Sequence, residues 1–384
     1  MGSVMRVDVR GEVLRWARER AGFTSQVLHR RFPKIDDWEQ DSGKPTLKQL
    51  ENFAKATMTP IGFLFLSEPP VERIPLPDFR TRRKIRDIKP SPNLLDTIYL
   101  CQQRQEWYRE FARSEGELTR KYVGSARLTD SIDKIAEEMR HELRFDLDAR
   151  RECPTWTEAL RMFIKQADDL GILVMASGVV LSNNRRKLNP NEFRGFAISD
   201  DLAPLIFVNA ADTKAAQMFT LAHELAHLWL GKSALSDIDP AEPSEHEEEN
   251  WCNRVAAEFL VPIGVLRAEL RESSNVESEI SGLARRFKVS TLVILRRLFD
   301  ARIISRAAFE EAYQKEQKRF LAMGKSSGGD FYLTLASRVS RRFAGAVVAR
   351  TLEGQTLYRD AFRMLGISKA ETFRELSRSL EFTL

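Results

Sequence analysis

The most constraining stretch of the chain is His223-Glu224-Leu225-Ala226-His227. It lies inside the apolar pattern Phe219, Leu221, Ala222, Leu225, Ala226, Leu228, Leu230, which starts after Asp212 and stops at Gly231. Apolar residues at this spacing predict a helix. On a helix, positions four apart share a face about one turn apart, so the two imidazoles can converge on one divalent ion at about 2.0–2.1 Å from each nitrogen, as zinc requires. Glu224 lies beside them and reaches the open coordination position. There zinc brings the pKa of a water toward about 7 and polarises a carbonyl, while the carboxylate takes the proton and later hands it to the leaving amine. The plainer reading is a helix with two histidines that merely pack or hydrogen-bond, and it gives Glu224 nothing to do.

Two ligands are too few, because a catalytic zinc takes three protein groups and one open place. Downstream, Asp237, Asp239, Glu242, Glu245, His246, Glu247, Glu248 and Glu249 form an acidic stretch leading into a helix expected over residues 250–260. Glu249 is the best candidate. It begins that helix, and Asn253 lies four residues on, on the same face, positioned to hydrogen-bond a ligating histidine. His246 and Glu248 are rivals for the third position. Cys252 is another donor, although a small residue on an apolar helix is more often core.

Composition sets the class. With 384 residues, 43% hydrophobic and 30% charged, the chain has material for two or three globular domains. No apolar run approaches the roughly 18 residues needed to cross a bilayer, and the start shows no secretory h-region, so no membrane association is expected. Three cysteines without CxxC spacing fit a reducing compartment and a cytoplasmic location. Net charge is +6 over residues 1–90, −7 over 210–262 and +8 over 263–384. Basic ends suit either nucleic-acid contact or solvated helix faces. The densest run, Arg80 to Arg86, follows Pro69, Pro70, Pro75 and Pro77 and reads as linker.

Periodicity places short helices over 8–66, helices over 92–123, 129–145 and 155–170, then extended segments. Ile172–Met175 and Val179–Leu181 flank Ser177-Gly178, and Phe193–Ile198 and Leu205–Val208 flank Ser199-Asp200-Asp201, so two hairpin-like pairs are expected. Everything after Asp212 reads as helix. The fold class is therefore α+β, a mostly helical multidomain chain around a small sheet.

Residues 219–227, followed by Glu249-Asn250-Trp251-Cys252-Asn253-Arg254-Val255-Ala256-Ala257-Glu258-Phe259-Leu260-Val261-Pro262, resemble the ImmA/IrrE metallopeptidases. The resemblance implies zinc held by His223, His227 and Glu249, with Glu224 as catalytic base, in a minimal zincin-like core. It further implies selective endoproteolysis of a helix-turn-helix repressor, derepressing stress-response or mobile-element genes. Residues 10–66 resemble the Cro/repressor-type helix-turn-helix domain through Arg15, Arg18, Gly22, Gln26, Trp38-Glu39, Gly43, Pro45-Thr46 and Leu50. Only 11 residues separate Gln26 from Trp38, however, which cuts the recognition helix short. A second such pattern spans Ile280–Leu298, with Ser290 as a cap and Lys288, Arg296 and Arg297 facing prospective phosphates.

The expected organisation is a degenerate helix-turn-helix domain (1–68), a basic Pro-rich linker (69–91), a helical connector (92–150), the zincin-like domain (151–275), a helix-turn-helix-like segment (276–319) and a C-terminal helical extension (320–384). The expected partner is a protein repressor as substrate, with DNA contact through basic helical segments as a further expectation; the sequence leaves the oligomeric state open. The competing reading is a DNA-binding regulator, or a toxin–antitoxin-type partner, whose zinc is not catalytic.

Overall fold

The computed structural model describes residues 5–79, 90–236, 244–270, 276–322 and 331–382. The basic run at 80–86, the acids Asp237, Asp239 and Glu242, and the Gly/Ser stretch at 324–329 lie outside the described residues. The chain divides into two compact units, one formed mainly by residues up to Pro75, the other containing Leu76 to Phe79 and everything from Tyr99 onward.

The first unit holds α1 (Gly11–Arg20), α2 (Ser25–His29), α3 (Ile35–Glu39), α4 (Leu47–Thr57) and a 3-10 turn (Ile61–Phe65). Val13, Leu14 and Ala17 of α1 pack with Ile35, Trp38, Leu50 and Phe53 into one core. Thr46 and Gln49 close a reciprocal capping box at the start of α4. The buried Glu39 carboxylate accepts two hydrogen bonds from Arg18, at 2.6 and 2.9 Å. The short stretch before Trp38 has a visible consequence: α3 has five residues, buries Ile35, Trp38 and Glu39, and offers Asp36 and Asp37 as its remaining side chains.

The long α5 (Pro92–Ser114) is shared, its residues through Ile98 counting with the first unit and the rest with the second, which continues with α6 (Ile132–Glu142), α7 (Leu147–Glu152) and α8 (Trp156–Asp169). Next come β1 (Leu173–Ser177), β2 (Gly195–Ile198), β3 (Leu205–Asn209), α9 (Lys214–Trp229) and β4 (Ala234–Ser236). The remainder is α10 (Glu247–Leu260), α11 (Ile263–Glu269), α12 (Val276–Phe287), α13 (Thr291–Asp300), α14 (Arg306–Ala322), α15 (Phe331–Val339), α16 (Arg341–Leu352), α17 (Tyr358–Leu365) and α18 (Ala370–Ser379). The architecture is thus mostly helical around a small mixed sheet of order β1-β3-β2-β4. None of the described helices is long and apolar enough to cross a membrane.

Three sequence expectations need correction. The pair over Ile172–Met175 and Val179–Leu181 is not a hairpin: β1 pairs in parallel with β3, Leu173 opposite Leu205, and Val179 makes only an isolated bridge to Lys187. Every position of β1 and β3 is buried, and a continuous apolar run does not reveal which strand will be its neighbour. The reading of everything after Asp212 as helix missed β4, whose three residues are too few to show a period. The helix expected over 92–123 ends at Ser114; beyond it Tyr122 leaves the helical path to stack on Trp229 with ring centroids 4.6 Å apart. The hairpin of β2 with β3 does form, Ile198 opposite Leu205.

Candidate metal centre

Helix α9 starts at Thr213, whose hydroxyl accepts the Ala216 N–H, and ends where Gly231 adopts φ +68°. From Gln217 to Trp229 every residue is buried, so the helix runs through the core with no solvent face. It packs on β2 and β3 on one side and on α10 on the other. His223 and His227 face α10, and their Nε2 atoms lie 3.1 Å apart. Glu249, in the first turn of α10, places Oε2 3.1 Å from His223 Nε2 and Oε1 2.9 Å from His227 Nε2. These three side chains form a buried cluster of potential ligands, all within 4.8 Å of one another.

The donor set fits a small divalent cation. Two nitrogens each about 2.0–2.1 Å from a tetrahedral zinc stand roughly 3.3 Å apart, close to the 3.1 Å between the two Nε2 atoms. Burial pushes the His223 pKa down, although Glu249 pulls the other way. Burial alone would raise the Glu249 carboxyl, yet the adjoining imidazoles outweigh it and hold it far below the usual range. A neutral His223 and an ionised Glu249 are the protonation states that bind metal.

Glu224 is fully buried beside this cluster; neither of its carboxylate oxygens accepts a hydrogen bond of ordinary geometry, although the Ser236 hydroxyl is near enough to favour its charged form. Burial first, and the Glu249 charge second, raise its pKa well above the ordinary value. That is the direction a general base near neutrality requires. The Asn253 side chain is near enough to His223 to favour its charged form, while Asn253 Oδ1 and both histidine Nδ1 atoms are buried without an ordinary hydrogen bond. The rivals for the third position lie elsewhere. His246 occupies the N-cap position of α10 without a side-chain capping bond and packs its ring against Phe79, Glu248 pairs with Lys232 at 3.6 Å, and Cys252 is buried in the core.

Three neighbours escaped the sequence reading. Ser236 of β4 donates to Glu249 Oε1 at 3.5 Å. Gly195 of β2 backs Glu224 so closely that a Cβ there would lie 3.0 Å from Oε1; a lone glycine inside an expected strand was the available signal. Phe79 stacks on His227 with centroids 6.2 Å apart and planes 3° from parallel, and nothing in a proline-rich stretch announces it.

The far end of α10 is clamped by arginines. Arg140 donates to the Glu258 carbonyl at 2.9 Å, Arg150 to that of Leu260, and Arg297 to that of Val261 at 2.9 Å while ion-pairing with the Glu258 carboxylate. Cations at a helix C-terminus satisfy its open carbonyls and its dipole. Several cations of the second helix-turn-helix pattern are engaged internally: Arg296 with Asp300, Arg286 with Glu269, and Lys288 over the Trp156 ring. Ser290 caps α13 by accepting the Val293 N–H.

Comparison with known proteins accords with the geometry. Residues 167–299 match the family model described as the IrrE N-terminal-like domain of the M78 peptidases. The chain carries an IrrE-like metalloprotease domain. Over 91 residues it is 37% identical to the radiation response metalloprotease IrrE of Deinococcus radiodurans, an alignment covering 22% of this chain and 28% of that protein. Residues 339–379, spanning α16 to α18, match a domain of unknown function.

Proposed function

We propose that the IrrE-like domain is a zinc-dependent endopeptidase acting on a helix-turn-helix repressor protein, so that cleavage derepresses genes under that repressor. The observation that carries the reading is the buried His223, His227 and Glu249 cluster with a fully buried carboxylate, Glu224, beside it that no ordinary hydrogen bond engages. A zinc ion held by the three would supply Lewis acidity toward a peptide carbonyl and an attacking water. Glu224 takes the proton of that water and returns it to the departing amine. Glu249 balances charge and, with Asn253 beside His223, holds the ligand set in place. A zinc site serving structure alone closes its fourth position with protein and has no use for a base; among the described residues the cluster has three ligand side chains.

The test pairs metal analysis with cleavage. Glu224→Gln is expected to bind one zinc per chain and to leave a cognate repressor intact, whereas His223→Ala loses the metal. Cleavage by Glu224→Gln at the wild-type rate would end the proteolytic reading.

A further inference from the structure

In the sheet order β1-β3-β2-β4, the last strand is an edge. An exposed edge is a template for another extended chain, and peptides bind enzymes and adaptors by adding to one. The outer side of β4 is taken by this chain itself. Leu235 N–H donates to the Pro77 carbonyl at 2.9 Å, and Phe79 N–H donates to the Leu235 carbonyl at 3.0 Å, with Asp78 opposite Leu235 in a parallel bridge. The added segment ends on the metal cluster: the Phe79 ring lies on His227 and meets His246 edge-on, with centroids 5.1 Å apart.

Two features mark this segment as a displaceable occupant. His223, Glu224 and His227 have no exposed surface, so a peptide bond reaches them only if something moves. Pro75 and Pro77 have no N–H to give, which limits how far the pairing can extend. The described hold on β4 includes two backbone hydrogen bonds and one aromatic ring.

We propose that the outer edge of β4, with the slot between His227 and His246, is the docking site for an extended peptide bearing an aromatic side chain, and that Pro77-Asp78-Phe79 is its resident occupant, which substrate displaces. This deepens the peptidase reading and rests on it. The backbone of the incoming peptide takes over the Leu235 N–H and carbonyl, its aromatic ring replaces that of Phe79 on His227, and the cluster opens to the neighbouring peptide bond. Selectivity then comes from competition with a tethered rival.

The test reads binding without cleavage, in zinc-loaded Glu224→Gln protein, with a fluorescent peptide copying residues 73–80 as probe. Phe79→Ala should bind this peptide about tenfold more tightly than protein that keeps Phe79, Phe79→Tyr should match the parent, and a probe with alanine in place of its phenylalanine should bind about tenfold more weakly. A second measurement needs no change at Phe79. In hydrogen exchange, excess probe should deprotect the Phe79 amide while Leu235 stays protected, because the probe inherits the Leu235 bond. If Phe79→Ala gains no affinity, or if Phe79 stays protected under saturating probe, the segment is a permanent strand and the proposal fails. Loss of proteolysis as an assignment would appear instead in the Glu224→Gln cleavage assay, leaving these binding readouts to stand or fall separately.

Discussion

Replacing Gly195 by alanine tests whether the wall behind Glu224 is as tight as the structure makes it. The new Cβ would lie 2.6 Å from Thr220 Cγ2, 2.9 Å from the Phe207 carbonyl oxygen and 3.0 Å from Glu224 Oε1. Ordinary contacts at such a carbon begin near 3.4 Å, so all three neighbours must give way. Two of them can turn, but the carbonyl belongs to β3, which pairs with β2 on one side and β1 on the other. Overpacking of this kind costs roughly 1–3 kcal/mol. The expected result in urea unfolding is a loss in the middle of that range, with the slope unchanged. Adding Thr220→Ser, which removes Cγ2, should restore part of it. Because Glu224 is displaced while His223, His227 and Glu249 are not touched, zinc affinity should stay within a factor of about three and peptide cleavage should fall at least tenfold. Stability within about 0.5 kcal/mol of wild type, together with full activity, would show that the close approach of β2 to α9 is not real.

Asn253→Ala should weaken zinc binding by about 10–100-fold, as loss of a group supporting a ligating histidine does elsewhere; titration against a chromogenic chelator measures it. Arg297→Met leaves the Glu258 carboxylate buried without its partner and should cost about 3–5 kcal/mol in denaturant, with part recovered on adding Glu258→Gln. Burial lifts the Asp168 carboxyl to about 7 although the Ser340 hydroxyl donates to it. Its folded pKa lies above the unfolded one, so folding takes up a proton between about 3.8 and 7, and stability from this group is full below that window and declines as pH rises through it. Asp168→Asn should remove that decline, on the order of 4 kcal/mol at most, as read from unfolding free energy against pH.

What the sequence revealed divides by distance along the chain. His223, Glu224 and His227 were legible because helical spacing alone brings them together. Glu249 stood out as the best of several acids because it begins its helix with Asn253 on the same face, but His246 and Glu248 stayed rivals until the resemblance pointed to Glu249; the docking of α10 against α9 and α6, which decides which side chain meets the histidines, is not local in sequence. Parallel pairing of β1 with β3 was hidden for the same reason. Phe79 lay in a segment whose prolines read correctly as a break in regular structure, but a break still has backbone groups to pair, and the edge that pairs them is more than 150 residues away. The brevity of α3 followed from the short interval before Trp38, whereas its acidic Asp36-Asp37 pair went unremarked in the sequence.

The C-terminal helices bear on how the protein can be handled. Helices α15 and α16 lie against β1, where Leu335, Val339, Phe343 and Val347 are buried, and Ser340 reaches Asp168 at the end of α8. A fragment trimmed to the matched segment would strip this cladding, wet one flank of the sheet and strand an acid meant for shelter. Anyone seeking a minimal catalytic piece should expect a sticky polypeptide, and should keep the tail attached.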